Sequence, residues 1–243
     1  MGHYRSQDVI IIGASSFYEL FELINDINQS NREYKINVIG LLDDDKNLFG
    51  KKINGVSIIG PLSDFHKYDE PVKFVFGIGS HKNHLIRREI IQKLNIDKER
   101  FISLVHPTVK IFNNSRIDKG CIIHFGSVVF NNTKINHFCI IMAMTVIGTR
   151  NLIGEGCIIT SKVSTTNKVS IGSYSFIGTG SLIAESVEIS PGTLVSLGSI
   201  IHKDTHQGDL IFNHSTKSIK YKEVNQEIID EWTDIKKQFQ HQD

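Results

Sequence analysis

The sequence predicts an α/β region followed by an all-β region. We expect a Rossmann-like βαβ domain over residues 1–103, a left-handed parallel β-helix of hexapeptide repeats over 104–212, and a C-terminal loop with an amphipathic helix over 213–243. Three observations support this organisation. Strand-like and helical segments alternate in the first hundred residues. A six-residue aliphatic repeat then continues to Ile201, and an apolar stripe at helical spacing follows it.

The composition is that of a globular protein and argues against several functions. The chain has 243 residues, 40% of them hydrophobic and 22% charged, with a net charge of +1. This balance gives no general attraction to nucleic acid. The sequence contains no apolar run of the roughly 18 residues that a membrane span needs, and no signal peptide precedes the first strand. We therefore expect a cytoplasmic protein that neither inserts into membranes nor binds nucleic acid.

The first hundred residues contain three strand-like segments, around residues 9–12, 38–42 and 74–77, with helical segments after the first and the third. Ligands bind at the carboxyl ends of the strands in parallel sheets. We therefore expect a nucleotide-type ligand at that edge, with substrate contacts from Gly13, Ser15, Ser16, Asp43, Asp44, Gly79 and His81. Gly13 alone remains of a dinucleotide-binding glycine pattern. The alternative is a tight turn at Gly13 and a solvated aspartate loop.

The second part of the chain carries a hexapeptide repeat. Counting in sixes from Val105 to Ile201 gives Ile or Val at sixteen of seventeen positions, Thr165 being the exception. The fifth residue of each hexad is Val, Ser, Cys, Thr or, once, Asn151. Such repeats specify a parallel β-helix, in which three hexads make one triangular coil and both of these positions point inward.

The three cysteines, Cys121, Cys139 and Cys157, are spaced eighteen residues apart, which is one coil. We expect them to stack in successive coils about 4.8 Å apart and to serve in packing. An odd count without a close pair argues against a disulfide framework. No His or acidic residue occupies the fifth hexad position, so we expect no metal site.

A C-terminal helix is predicted over Tyr221 to Gln240. Its apolar residues recur at intervals of three and four and form one stripe, consisting of Val224, Ile228, Trp232, Ile235 and Phe239. We expect this stripe, including Trp232, to pack on the β-helix or on a neighbouring subunit.

The chain resembles the sialic-acid-O-acetyltransferase-like and bacillosamine-pathway N-acetyltransferase family. The resemblance rests on VIIIGAS at 9–15, GLLDDD at 40–45, IIGPLSDF at 58–65, FGIGS at 76–80, LVHPTVKI at 104–111 and the hexad repeat. It implies an acetyl-CoA-dependent N-acyltransferase that acts on a nucleotide-linked amino sugar for bacterial surface glycans. It also implies a homotrimer, with acetyl-CoA between adjacent β-helices and the sugar nucleotide held largely by the first domain.

Family members carry a catalytic His and an acidic residue on one β-helix corner, and this sequence has Thr149 and Arg150 at the matching positions. Neither residue can act as a base at neutral pH. The resemblance also assigns acetyl-CoA contacts to two positions. A second family His matches Ile158, and a glycine near the pantetheine path matches Leu197; Thr179 is grouped with them as a cofactor contact.

Three interpretations of this altered site remain open. In the first, no protein base is needed, Arg150 binds a phosphate or carboxylate, and Thr149 donates a hydrogen bond to the acyl oxygen. In the second, another histidine is the base, and His124 is preferred because Phe125 and Phe130 would partly shield it from water. The weaker candidates are the surface-type histidines His137, His202, His206 and His214.

In the third interpretation the chain is a nucleotide-sugar-binding or scaffold protein, or a transferase with another acyl donor. The family's CoA-contacting loop is replaced by Phe212 to Lys217, and its glycine-rich turn by Gly13 to Phe17. Several simultaneous changes favour a changed ligand more than a single change would.

Overall fold

The computed structural model describes residues 5–31, 34–212, 217–220 and 223–240. It contains the predicted α/β sheet, the three parallel sheets of a β-helix and a C-terminal helix, so the predicted fold class is confirmed. Among the earlier candidates, His214 lies outside the described residues, as does the start of the predicted C-terminal helix at Tyr221.

The first domain is a five-stranded sheet with strand order β3-β4-β2-β1-β5. Its strands are β1 (Arg5–Ile12), β2 (Tyr34–Leu42), β3 (Lys52–Ile53), β4 (Val56–Gly60) and β5 (Lys73–Phe76), and its helices are α1 (Phe17–Ser30) and α2 (Ile86–Leu94). Short 3₁₀ segments span Lys46–Leu48, Leu62–Lys67 and Lys98–Arg100. The sheet is parallel except for the β3–β4 hairpin. That hairpin was not predicted, although the Asn54-Gly55 pair at its turn, where both residues have positive φ, is a strong turn signal.

The second domain consists of short strands β6 to β22 and is followed by β23, β24 and α3. Their bounds are β6 (Leu104–Val105), β7 (Lys110–Ile111), β8 (Arg116–Ile117), β9 (Ile122–Ile123), β10 (Val128–Val129), β11 (Lys134–Ile135), β12 (Ile140–Ile141), β13 (Val146–Ile147), β14 (Leu152–Ile153), β15 (Ile158–Ile159), β16 (Ser164–Thr165), β17 (Ser170–Ile171), β18 (Phe176–Ile177), β19 (Leu182–Ile183), β20 (Glu188–Ile189), β21 (Leu194–Val195), β22 (Ile200–Ile201), β23 (Asp209–Phe212), β24 (Lys217–Lys220) and α3 (Gln226–Gln240).

These strands form three faces. The docked face contains β6, β9, β12, β15, β18 and β21 and is extended by β23 and β24. The second face contains β7, β10, β13, β16, β19 and β22, and the third face contains β8, β11, β14, β17 and β20. We call the bend from the docked face to the second face corner 1, and the bend from the second face to the third face corner 2.

The backbone of each corner explains the repeat. From Asn114 to Gly198, the fourth residue of every hexad has positive φ, including bulky residues such as Phe138, Met144 and Arg150. Glycine and asparagine suit this conformation best, which accounts for their frequency at the corners. The repeat therefore imposes its backbone even on side chains that do not favour it.

The inward positions form a continuous core. The cysteines Cys121, Cys139 and Cys157 are buried and unpaired by disulfides, as expected for a packing role. Each Sγ donates to the carbonyl fifteen residues further along, at 3.1 Å for Cys121, 3.0 Å for Cys139 and 3.1 Å for Cys157. Serine and threonine hydroxyls at the same hexad position make the equivalent bond. A small donor there therefore satisfies a buried carbonyl of the next coil.

The two polar exceptions in the repeat are hydrogen-bonded to each other. Asn151 Nδ2 donates to Thr165 Oγ1 at 2.9 Å, and Asn151 Oδ1 accepts from the backbone N–H of Val169. Both side chains are buried. This pair fixes the coil at corner 2, beside Thr149.

The domains share a core across the docked face. Its outward side chains, such as Ile122, Ile140 and Ile158, pack with Leu20 and Leu23 of α1. At the far end of the chain, α3 begins at Gln226, so Val224 precedes the helix instead of belonging to its stripe. Trp232 is buried, which agrees with the expected packing role. Arg88 of α2 bonds two carboxylates of α3, Glu227 and Glu231, each at 3.0 Å.

Candidate functional site

Two adjoining cavities lie between the first domain and the docked face. The first cavity has a volume of about 200 Å³ and is lined by the start of α1, the loop after β5 and the β-helix. The second cavity has a volume of about 420 Å³ and follows α1 along corner 1. Glu19, His124 and Met142 line both cavities. The two cavities therefore form one groove, which joins the carboxyl edge of the sheet to the β-helix.

The loop after β5 is pressed closely against its surroundings. A Cβ on Gly79 would lie 2.6 Å from Ile140 Cδ1, and a Cβ on Gly13 would lie 2.4 Å from Ile78 Cγ1. Gly13 also has a φ of +94° and donates its N–H to Leu42 O at 2.8 Å. Both glycines are therefore required by close approach. They bring the carboxyl ends of β1 and β5 together beside the first cavity.

Only some of the predicted substrate residues line the first cavity. Ser16, Gly79 and His81 line the first cavity, and the Ser16 hydroxyl donates to Gly77 O. Gly13 lies behind them as part of the turn, and Ser15 is exposed outside the cavity lining.

The two aspartates have structural partners at the same edge of the sheet. Asp43 accepts from the N–H groups of Ala14 at 2.8 Å and Asp45 at 2.9 Å. Asp44 accepts from the N–H of Leu62 at 2.9 Å. Their carboxylates hold the strand-end turns together, and neither residue belongs to the lining of the first cavity. Substrate contact by these aspartates stays a prediction.

His124 is the buried imidazole of the groove. It lies on corner 1 and is only 8% exposed. Burial, with a smaller effect from His106, lowers the pKa of His124 to about 4, so its ring is neutral at pH 7. The expected shielding by Phe130 is wrong, because Phe130 stacks on Phe112 at 5.0 Å and both side chains are exposed. His124 is shielded by the packing of the two domains, which the repeat alone does not reveal.

His106 lies one coil before His124 at the same hexad position and was missed by sequence reasoning. Its Nε2 is 3.1 Å from Asp26 Oδ2, and its Nδ1 is 2.8 Å from Thr108 Oγ1. The ring also contacts Phe125, with ring centroids 5.9 Å apart. Asp26 belongs to α1, so only the docking of the two domains creates this pair.

Thr149 and Arg150 lie on corner 2, away from the groove. Arg150 has a φ of 56° and occupies the left-handed corner position. Its N–H donates to Asn131 O, and Thr149 O accepts from the N–H of Lys168, both at 2.9 Å. Neither residue lines either cavity. The structure therefore separates this pair from His124, the third residue predicted to be catalytic.

The predicted cofactor residues extend from the groove along corner 1. Ile158 lines the first cavity beside Thr160, and the Thr160 hydroxyl lies 3.1 Å from that of Thr179. Leu197, one coil further on, is 78% exposed. Thr160 was missed by sequence reasoning, although its hexad position matches that of His124.

Arg87 is a second buried group that sequence reasoning missed. Its guanidinium donates to Ile78 O in the loop after β5 and to Phe138 O in the β-helix. It also lies over the Phe76 ring, 5.0 Å from the centroid. Burial lowers the pKa of Arg87 to about 10, which leaves it charged at pH 7. Arg87 therefore fixes the wall of the first cavity to the β-helix.

The other candidate histidines lie outside the two cavities that His124 lines. His137 is half-buried with its Nε2 3.7 Å from Asp118, and His202 and His206 are exposed. His84 is fully buried and packs its ring 6.3 Å from that of Phe176. None of these four lines the groove.

Comparison with known proteins identifies the first domain. Residues 8–94 match the family model described as the PglD N-terminal domain. The first domain therefore resembles a PglD N-terminal domain. No curated protein sequence matches the chain. The carboxyl strand edge and the loop that lines the first cavity both lie within this matched domain.

Solved structures with this fold cover nearly the whole chain. The acetyltransferase domain of PglB from Neisseria gonorrhoeae FA1090, in complex with acetyl coenzyme A, has 20% identity and a TM-score of 0.73 and covers 88% of this chain and 100% of its own. PerB from Caulobacter crescentus, in complex with CoA and GDP-perosamine, has 19% identity and a TM-score of 0.73, with coverages of 87% and 97%. WeeI from Acinetobacter baumannii AYE has 16% identity and a TM-score of 0.64, with coverages of 88% and 100%. The predicted resemblance is thus confirmed for the fold.

The described part of the chain lacks two features of other protein classes. Among the described helices, none is long and apolar enough to cross a membrane. Within the part of the chain that the structure describes, no group of three or more His, Cys, Asp or Glu residues could hold a metal ion.

Proposed function

We propose that the chain is an acyl-CoA-dependent N-acyltransferase, with acetyl as the acyl group, that acts on a nucleotide-linked amino sugar. The observation that carries this proposal is the groove that joins the strand edge of the PglD-like first domain to a buried, neutral His124 on the β-helix. The PglB domain with acetyl-CoA, and PerB with CoA and GDP-perosamine, support the substrate classes.

The nucleotide sugar would bind at the carboxyl edge of the sheet. The nucleotide part would lie along the turn from Gly13 to Ser16, and the sugar would reach the loop that carries Gly79 and His81. The N–H groups of Gly13 and Ala14 are bonded within the sheet edge, so the N–H groups of Ser15 and Ser16 would bind the phosphate oxygens. The apolar floor of the first cavity, which includes Ile122 and Ile140, suits the carbon face of a sugar ring.

His124 would receive the proton that the reaction releases. The sugar nitrogen attacks the thioester carbonyl, the new N–C bond forms, the C–S bond breaks and CoA leaves. Nitrogen becomes positively charged as the bond forms, so its proton can pass to a neutral imidazole. The proton then passes to the leaving thiolate or to water. Because burial lowers the pKa of His124 to about 4, the ring is neutral but weakly basic near pH 7, so it would take the acidic proton of the newly bonded nitrogen and pass it on directly.

The acyl donor would approach along corner 1. Ile158 and Thr179 trace that path from the cavity, and Leu197 continues it on the surface. The family resemblance implies a homotrimer in which CoA would lie between adjacent β-helices. In such an assembly, corner 2 of one copy, with Thr149 and Arg150, would face the groove of its neighbour. Thr149 would then orient the acyl oxygen, and Arg150 would bind an anionic group.

A non-catalytic nucleotide-sugar-binding or scaffold protein is the second candidate, together with a transferase that uses another acyl donor. The observation that favours it is the Thr149–Arg150 pair, which cannot transfer the proton that the family's His–acid pair transfers. This candidate predicts binding of the nucleotide sugar without consumption of acetyl-CoA.

Release of the CoA thiol tests the proposal. Purified protein is mixed with acetyl-CoA and with UDP-, dTDP- and GDP-linked amino sugars, and free CoA is followed with a thiol reagent. We expect release with one of the acceptors and none with acetyl-CoA alone. Absence of release with every acceptor, from protein that binds one of the sugars, would support the binding-protein candidate instead.

A further inference from the structure

Helix α1 presents an acidic stripe to the groove. Glu19, Glu22 and Asp26 are three and four residues apart, which places them on one face of the helix. All three carboxylates line the second cavity, and Glu19 also lines the first. The stripe therefore follows the second cavity, and its first member, Glu19, lines both cavities together with His124.

The charge of the groove has one sign. Among the described residues that line the two cavities there is no Lys or Arg, and the other titratable groups are His81, His106 and His124. Asp26 is bonded to His106, whereas Glu19 and Glu22 are exposed on the helix. A groove with this lining favours a cationic group on the part of the substrate that enters it.

His124 gives independent evidence that the groove receives a polar ligand. It is more than nine-tenths buried and lines both cavities. Among the described residues, none of the hydrogen bonds involves its ring nitrogens. Because the His124 ring lines both cavities, its nitrogens are available to hydrogen-bond a polar ligand there. Glu19 lines the same two cavities, so the same ligand can meet both the acidic stripe and this imidazole.

We propose that the stripe of Glu19, Glu22 and Asp26 recognises the substrate amine as its ammonium form and thereby selects amino sugars over hydroxyl sugars. This inference rests on the proposed function and adds the residues that choose the acceptor. The ammonium is held near the carboxylates and gives one proton to water as the nitrogen reaches the apolar floor, where burial disfavours its charge. The neutral amine then attacks the thioester, and its second proton passes to His124.

The test compares paired ligands without acyl-CoA. Calorimetry measures the binding of UDP-, dTDP- and GDP-linked 4-amino sugars, each paired with the same nucleotide sugar that carries a hydroxyl at C4. We expect the wild-type protein to bind the amino member of one pair about 3- to 10-fold more tightly, the scale of one or two partly exposed ion pairs. This preference should shrink as salt is raised, because salt screens exposed charges.

Neutral variants assign the preference to the stripe. Glu19→Gln and Glu22→Gln should each reduce the ratio of the two affinities, and together they should bring this ratio to about one. Glu89→Gln, at an exposed position of α2 outside the groove, is the matched control and should keep the wild-type preference.

The outcomes separate the inference from the proposed function. A preference that survives in the double variant would overturn the inference and leave the transferase proposal intact. If the wild type bound both members of every pair equally and still released CoA in the acyl-transfer assay, the inference would also be overturned and the transferase proposal would stand. No binding of any pair would overturn the proposed function, and the inference with it.

Discussion

Corner 1 and corner 2 share one backbone but have different surroundings. His106, His124 and Thr160 occupy on corner 1 the hexad position that Phe130 and Gly148 occupy on corner 2. The first domain covers corner 1, buries His124 and lowers its pKa to about 4, whereas Phe130 on corner 2 is exposed. Position in the repeat fixes where a side chain points. Its chemistry is decided by what the rest of the chain places against it.

The largest expected effect concerns activity at the two corners. His124→Gln should reduce kcat for acyl transfer by about 10²-fold or more, the scale of removing a general base. Thr149→Ala should change it by less than about tenfold, because Thr149 cannot be the base. Both rates are measured by thiol release at saturating substrates.

The two variants serve as each other's control, since each changes one corner of the same β-helix. A reversed order, with Thr149→Ala more than about 10³-fold slower and His124→Gln near the wild-type rate, would place the chemistry at corner 2.

The next effect concerns the contact that holds the domain against corner 1. Arg87→Met leaves Ile78 O and Phe138 O without their donor and should lower the free energy of unfolding by about 2–4 kcal/mol. Arg87→Lys should lower the free energy of unfolding by less than Arg87→Met does, because lysine keeps the positive charge. Urea unfolding measures both changes.

Lys93→Met, at an exposed position of the same helix, is the control and should change the unfolding free energy by less than about 0.5 kcal/mol. If Arg87→Met unfolded at the same urea concentration as this control, the buried guanidinium would not join the domains as described.

A third effect depends on pH. The pKa of His124 is about 4 in the folded protein and about 6.5 in an unfolded chain. Because the folded pKa is the lower one, this contribution to stability is complete above pH 6.5 and is lost as the pH falls from there through 4. Between pH 6.5 and pH 4, the free energy of unfolding of the wild type should fall by on the order of 2–3 kcal/mol more than that of His124→Gln.

Unfolding midpoints in urea at pH 7, 5.5 and 4 measure this difference, and His202→Gln at an exposed site serves as the control. Parallel pH profiles for the wild type and His124→Gln would show that His124 is not held neutral by burial.

The smallest effect concerns the interior of corner 2. Asn151→Ala removes bonds to Thr165 Oγ1 and to the Val169 N–H and should cost about 1–3 kcal/mol of unfolding free energy. Asn113→Ala, at an exposed corner position, should be nearly neutral. Equal unfolding midpoints for the two variants would contradict the structural role of the Asn151–Thr165 pair.

The sequence predicts the β-helix well because each coil repeats the same local requirement. An aliphatic residue and a small residue point inward from every hexad, and the cysteine column follows from an eighteen-residue coil. Even the two exceptions, Thr165 and Asn151, form a hydrogen bond with each other. They are separated by fourteen residues, however, so the repeat alone gave no reason to pair them.

The site was less predictable because it depends on contacts between the domains. His124 was a candidate from its position, but the reason given, shielding by Phe130, was wrong. The spacing of Glu19 within its helix and of His106 from His124 is visible in the sequence, but both residues line one groove only because α1 docks against the β-helix. Arg87 reaches Phe138 O only because α2 docks there. Asp43 and Asp44 stood out in the sequence, yet their carboxylates bond backbone N–H groups of the sheet edge.

A crystal structure of the protein with CoA and the accepted nucleotide-linked amino sugar tests the central claim most directly. We predict that the sugar nitrogen lies within hydrogen-bond distance of a ring nitrogen of His124, about 3 Å, with Glu19 on the same side. A sugar nitrogen placed instead against Thr149 and Arg150, with no contact to His124, would contradict the account.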